Sequence, residues 1–149
     1  MRRVVDFEMW HARELESYLQ PQQQGDQQYM TEQICQEMIE HGIVRTALDD
    51  DVVLGFAGIM IQWPGRAIAF AYLSSMHTKA QFLFVHRAVK DFLDGCYIKR
   101  IEMHVDCDHI EGHRWARLLG FTMEAKQLVG YRPGGGDWSV SARIRDGRT

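Results

Sequence analysis

The stretch "VDCDHIEGHRWARLLGF", Val105 to Phe121, decides the fold. It starts at the end of a strand. The segment "IKRIEMHVDCD" alternates, putting Ile101, Met103 and Val105 on one face and Glu102, His104 and Asp106 on the other. "IEGHRWARLLG" then reads as a short helix. Gly120 can take a positive φ and end that helix, and Phe121 opens the next strand with its ring turned inward. His104, Cys107, His109 and His113 lie along the same stretch and raise the idea of a metal. Their spacing argues against it. His109 and His113 can share a helix face, but His104 and Cys107 stand three apart on a strand and so face opposite ways. No HExxH or CxxC accompanies them, and no metal is assigned. Cys107 reads instead as a small buried hydrophobe and His113 as a solvated helix residue.

Upstream, "TKAQFLFVHRAVKDFLDG" is a helix with Phe82, Val85, Val89, Phe92 and Leu93 along one stripe, Thr78 as N-cap and Gly95 at its end. Before it come two uncharged runs, "VVLGFAGIMIQ" and "AIAFAYLSS", joined by "WPGR". Strands without charge on either face belong in the middle of a sheet covered on both sides. Pro64-Gly65 suits a type II turn. Acidic "DDD" at Asp49 to Asp51 is a turn, and "IVRTAL" hides a further strand. Arg2 to Phe7 is a short first strand. "MWHARELESYL" is an amphipathic helix through Trp10, Leu15, Tyr18 and Leu19 that Pro21 ends. "QPQQQGDQQ" is a polar loop. Thr31 opens a second helix, "TEQICQEMIEHG", which Gly42 stops as a C-cap. Downstream, "FTMEAKQLVGYR" and "WSVSARI" flank "PGGGD" as a hairpin, and "RDGRT" is a frayed tail.

Composition narrows the class. The 149 residues suit one domain, 1–149. A 46% hydrophobic and 25% charged chain of net charge −3 is that of a soluble globular protein, and it disfavours a nucleic-acid partner. Six arginines from Arg114 to Arg148 give the last third a basic bias that reads as a mixed-charge surface. The longest uncharged run, Val52 to Gly65, falls short of the roughly 18 residues of a membrane span. Three scattered cysteines, Cys35, Cys96 and Cys107, point to a reducing compartment and hence the cytoplasm.

The element order, β-α-α-β-β-β-α-β-α-β-β, together with "HIEGHRWARLLGF", resembles the GNAT (Gcn5-related N-acetyltransferase) superfamily. The local match puts His109 at the family's Asn position, Gly112 at its small residue, Ala116 at its Tyr position and Gly120-Phe121 at its Gly-Phe ending. The resemblance implies an α/β (α+β) fold: a mixed, mostly antiparallel sheet of six to seven strands flanked by about four helices. It implies transfer of an acetyl group from acetyl-CoA to a primary amine on a small molecule or protein. Carried over by position, Tyr72, Leu73 and Ser74 offer main-chain groups to the pantetheine. Ser75, Thr78 and Lys79 lie by the pyrophosphate at a helix start, where free N–H groups favour anions, and His109 stands in for the Asn. His104 and Asp106, on one strand face, are the candidates for base and orienting carboxylate.

Two departures stand out. "SSMHTKAQ" holds no glycine where the family carries a glycine-rich phosphate loop, and Ala116 replaces the tyrosine that protonates the leaving thiolate. In this the chain is similar to degenerate phage-encoded members. The alternative reading follows: a catalytically silent phage structural or accessory protein, acting in the host cytoplasm or the virion. An uncovered edge strand could pair two copies into a homodimer.

Overall fold

The structure, a computed structural model, describes residues 1–21, 23, 30–75 and 77–145. Its elements are β1 (Arg2–Asp6), α1 (Met9–Leu15) running into a 3₁₀ turn (Glu16–Tyr18), α2 (Glu32–His41), β2 (Gly42–Asp49), β3 (Val52–Trp63), β4 (Arg66–Leu73), α3 (Lys79–Gly95), β5 (Arg100–Asp106), α4 (Ile110–Leu118), β6 (Thr122–Leu128) and β7 (Trp138–Ile144). This is the order expected from the sequence. Seven strands form one sheet in the order β1-β2-β3-β4-β5-β7-β6. Every neighbouring pair is antiparallel except β4 and β5. The uncharged runs of β3 and β4 lie inside the sheet, as strands with two covered faces must.

Helices cover both faces. On the front, α1 and α2 bury Leu15, Leu19, Cys35 and Met38 against Phe7 and Phe56. On the back, α3 and α4 bring Val85, Leu93 and Leu119 to Leu54, Ile101 and Phe121. His11 ties α1 to the sheet and is fully buried. Its Nδ1 accepts from the Glu8 N–H at 2.9 Å and meets the Thr46 hydroxyl at 2.8 Å. Two acceptor contacts on Nδ1 place the ring proton on Nε2, which has no partner among the described residues.

Several boundaries follow the expected signals. Thr31 and Thr78 cap α2 and α3, accepting from Ile34 N and Gln81 N. Gly120 has φ +93° and turns the chain from α4 into β6. Others differ. α1 ends at Leu15, six residues before Pro21, because Leu19 bridges to Ser74 and draws the chain out of the helix. Gly42 is no left-handed cap: it is extended, at φ −106°, and starts β2 at once. A Cβ there would meet Met60 Sδ at 2.6 Å, so close packing is its reason for being glycine. Most of the expected Gln-rich loop, and the tail from residue 146 on, lie outside the described residues. No helix among the described residues is long and apolar enough to cross a membrane.

Candidate functional site

β4 and β5 share a short seam. Parallel pairing runs from Arg66↔Arg100 to Ala69↔Met103 and stops. Beyond it each strand keeps its other partner, β4 with β3 as far as Leu73 and β5 with β7 as far as Asp106↔Trp138. Phe70 to Leu73 and His104 to Asp106 therefore diverge and leave a V-shaped gap in the middle of the sheet.

The β4 arm presents backbone groups to this gap. Ser74 turns its N–H to Leu54 O of β3, at 2.9 Å, so by alternation Ala71 and Leu73 turn theirs to the gap. The Leu73 N–H and the carbonyls of both residues are already bonded. The Gln23 carboxamide accepts from Leu73 N at 3.1 Å and donates to Ala71 O. Gln20 N donates to Leu73 O at 3.0 Å, and the Gln20 side chain holds that of Gln23 at 2.8 Å. Ser75 donates both its N–H and its hydroxyl to Tyr18 O, at 2.8 and 2.9 Å. The segment after α1 thus docks along the free edge of β4. Tyr72 lies on the front face, its ring 5.3 Å from that of Phe56, and Ser74 is buried.

Past β4, His77 donates from Nδ1 to Ser74 O at 2.7 Å, and its ring stacks on Phe82. Thr78 and Gln81 form a reciprocal capping box: Thr78 Oγ1 accepts from Gln81 N at 3.1 Å, and Gln81 Oε1 accepts from Thr78 N at 2.8 Å. That leaves the N–H groups of Lys79 and Ala80 as the helix donors without a bond among the described residues, beside the exposed Lys79 side chain.

On the β5 arm, His104 is half-buried and stacks on Trp138, centroids 5.0 Å apart, with Tyr131 at 5.5 Å. Burial pushes its pKa down. Asp106 shares its face but does not orient it. The carboxylate accepts from Arg132 at 2.6 Å and from the Asp108 N–H at 3.0 Å. Glu102, two residues before His104, is gripped by Arg66 at 3.0 and 2.5 Å and by Arg100 at 2.7 Å. The Arg66 hydrogen bonds, with help from Arg100, hold its carboxyl down at about 2 against the opposing effect of burial, so it is an anion with no basicity to offer.

α4 stands behind the gap. His109 occupies its N-cap, and burial lowers its pKa. Gly112 fits closely under it: a Cβ there would come to 2.7 Å from His109 Nδ1 and 2.9 Å from Val105 Cγ1. Ala116 is buried against the sheet. Trp115 donates from Nε1 to His86 Nδ1 at 3.0 Å, linking α4 to α3. Three of the four residues that raised the metal idea have contacts of their own, two of them through backbone carbonyls. His113 donates from Nε2 to Cys107 O at 3.1 Å, Cys107 donates to Lys126 O at 3.3 Å, and His104 stacks on Trp138. His113 is half-buried rather than solvated and Cys107 half-buried rather than buried, because β6 and α4 pack only partly over the end of β5. The arginine bias resolves in part into internal contacts, Arg132 with Asp106 and Arg143 with Asp94.

Sequence reasoning missed Gln20 and Gln23, which sat in a stretch marked only by polarity, and Trp138 and Arg132 as the neighbours of His104 and Asp106. Those contacts join segments that carry no local sign of each other.

No protein-family model matches the chain, and no curated protein matches it in sequence. Solved structures do match it in shape. Aminoglycoside 6'-acetyltransferase type Ii aligns at TM-score 0.71 and 16% identity over 99% of both chains. An N-acetyltransferase from Staphylococcus aureus Mu50 aligns at TM-score 0.72 and 9% identity over 97% of both. The ribosomal-protein-S18-alanine N-acetyltransferase from Escherichia coli aligns at TM-score 0.68 and 14% identity, over 97% of this chain and 94% of its own. With the parted β4–β5 seam and α3 and α4 behind it, this chain has the GNAT fold.

Proposed function

We propose that the protein is an N-acetyltransferase that moves an acetyl group from acetyl-CoA to a primary amine of a small molecule or a protein, with residues 1–149 as one catalytic domain. The observation that carries this reading is the parting of β4 and β5 after four paired residues, which opens a slot through a fold whose solved examples include acetyltransferases. The thioester arm lies along the Ala71–Leu73 edge, where its amides take over the hydrogen bonds now made by Gln23. The pyrophosphate lies by the N–H groups of Lys79 and Ala80 with Thr78 and Ser75 beside it, and His109 borders the slot from α4.

His104 is the base. Burial keeps its imidazole neutral at pH 7, with a nitrogen lone pair to take a proton. The neutral amine nitrogen attacks the thioester carbonyl, forming the C–N bond. The tetrahedral intermediate collapses, breaking the C–S bond, and the amine proton goes to His104. CoA leaves as the thiolate and is protonated by water, since Ala116 offers no acid. Asp106 acts at a remove, holding Arg132 on the rim.

Thermal unfolding with and without acetyl-CoA tests the reading, because a ligand that binds only the folded state raises the midpoint. A rise with acetyl-CoA, and acetylation of an amine library that falls about 100-fold in His104→Ala, is the expected pair of results. An unmoved midpoint at millimolar acetyl-CoA ends this proposal.

One observation favours a second reading, a catalytically silent GNAT-fold accessory protein of phage type. Gln20 and Gln23 already fill the free edge of β4. Under that reading the Gln23 plug is permanent, and neither the native protein nor Gln23→Ala binds acetyl-CoA. The enzyme would work in the cytoplasm, the accessory protein in the host cytoplasm or the virion, and the edge strands β1 and β6 are where a second copy would pair.

A further inference from the structure

A cavity of about 310 Å³ lies between the back of the sheet and α3. Its floor is Ala47, Ala57, Ala69 and Ala71, on three adjacent strands, and its roof is Val85, Ala88 and Phe92 of α3. The short floor side chains are what keep it open. Ala57, Ala69 and Ala71 stand in the middle of a seven-stranded sheet under a helix, yet each is only half-buried, and so are Ala88 and Phe92 above them. A void there strips both walls of the dispersion contacts that close packing would supply. His104, Asp106 and Gln23 do not line it.

The cavity has one charged group at its mouth. Val4 and Arg45, its exposed lining residues, mark an opening over β1 and β2. Arg45 pairs at 3.2 Å with Asp6, whose side chain is 88% exposed, so a ligand anion can displace that partner easily. Size and polarity together define the occupant. Ligand pockets begin at about 300 Å³. An aliphatic cavity of about 150 Å³ takes one benzene, so on that scale this one holds roughly ten to twelve carbons.

We propose that the cavity binds an unbranched medium-chain carboxylate of about ten carbons, its alkyl chain lying along α3 and its carboxylate on Arg45. The cavity shares Ala71 and Leu73 with the edge proposed above for the thioester arm, but its charged anchor, Arg45, stands two strands away on β2, and the proposed base His104 does not line it.

Calorimetric titration of the full chain with sodium decanoate, below its micelle concentration, tests this. Saturable binding of one decanoate per chain is expected, with butyrate inert. Arg45→Gln should weaken decanoate about tenfold and leave 1-decanol unchanged. Ala88→Phe should fill the cavity, abolish binding of both and raise the unfolding midpoint. Should Ala88→Phe not fold, Ala57→Leu fills the same space from the floor. Absence of saturable binding overturns the proposal, and so does binding that Ala88→Phe or its substitute leaves intact. A ligand-free protein that sediments as a dimer through this face also overturns it, since a second copy would then be the occupant.

Discussion

The two halves of the β4–β5 seam treat polar groups in opposite ways. In the closed half, Glu102 of β5 is fixed by Arg66 across the seam and by Arg100, which also reaches Glu124. In the open half, His104 and Asp106 of β5 face Phe70 and Tyr72 of β4 with no β-ladder between them, and a glutamine side chain from another segment satisfies the β4 backbone. The closed half is a charge network that costs much to break. The open half is closed off by neutral amide hydrogen bonds, which exchange with a ligand's amides at little net cost because one hydrogen bond replaces another. The same two strands thus carry a clamp at one end and an exchangeable seal at the other.

The clamp can be broken directly. Glu102→Ala leaves Arg66 and Arg100 facing each other without their shared anion. Glu102 is the buried member and its arginine partners are partly exposed, so removing it should cost about 2 kcal/mol of stability, the worth of its charged hydrogen bonds, read by urea denaturation. Glu102→Gln should cost less, since the amide oxygen can still accept from one arginine. If Glu102→Ala unfolds at the native urea midpoint, the clamp does not hold the seam. Gly112→Ala is the comparable test behind the open half. The new methyl meets His109 and Val105, and the expected loss is about 2 kcal/mol, typical of overpacking. An unchanged midpoint would show that the His109 ring moves freely.

pH separates the halves further. Burial lowers the pKa of His11, His104 and His109. A base with a depressed native pKa binds fewer protons folded than unfolded. Stability therefore rises with pH across that range, is complete above about 6.5, and is lost as pH falls below it. Glu102, held at about 2, contributes stability that is present above about 4.5 and lost from there down to about 2. Two acid phases should thus appear in the stability profile. His104→Asn should shrink the first and Glu102→Gln the second. A profile flat from pH 7.5 to 5 would contradict burial of the three histidines.

The sequence made some of this legible. Alternation of Ile101, Met103 and Val105 against Glu102, His104 and Asp106 assigned the two faces of β5, because side-chain period is a local property. Thr78 and Gly120 marked their helix ends because capping and positive φ are local as well. The face shared by His104 and Asp106 was readable, but not that Arg132 draws Asp106 away while Trp138 takes the ring. Those partners come from the β6–β7 hairpin, and only the sheet order β5-β7-β6 brings them there. The plug was invisible for the same reason. Gln23 meets Leu73 fifty residues away, and nothing about a glutamine among glutamines says which backbone it will bond.

That plug gives the smallest and sharpest test. Gln23→Ala removes one acceptor and one donor from the edge of β4 and leaves the clamp untouched. The folded protein should lose about 1 kcal/mol, the worth of an ordinary hydrogen bond. If the thioester arm competes for Ala71 O and Leu73 N, acetyl-CoA no longer has to displace an amide. Its affinity should then rise about fivefold, the same 1 kcal/mol read from the other side. Calorimetry on the two proteins measures both quantities in the same buffer. A stability loss without a gain in affinity would mean that the seal and the ligand use different edges of the gap, and the pantetheine path along β4 would have to be abandoned.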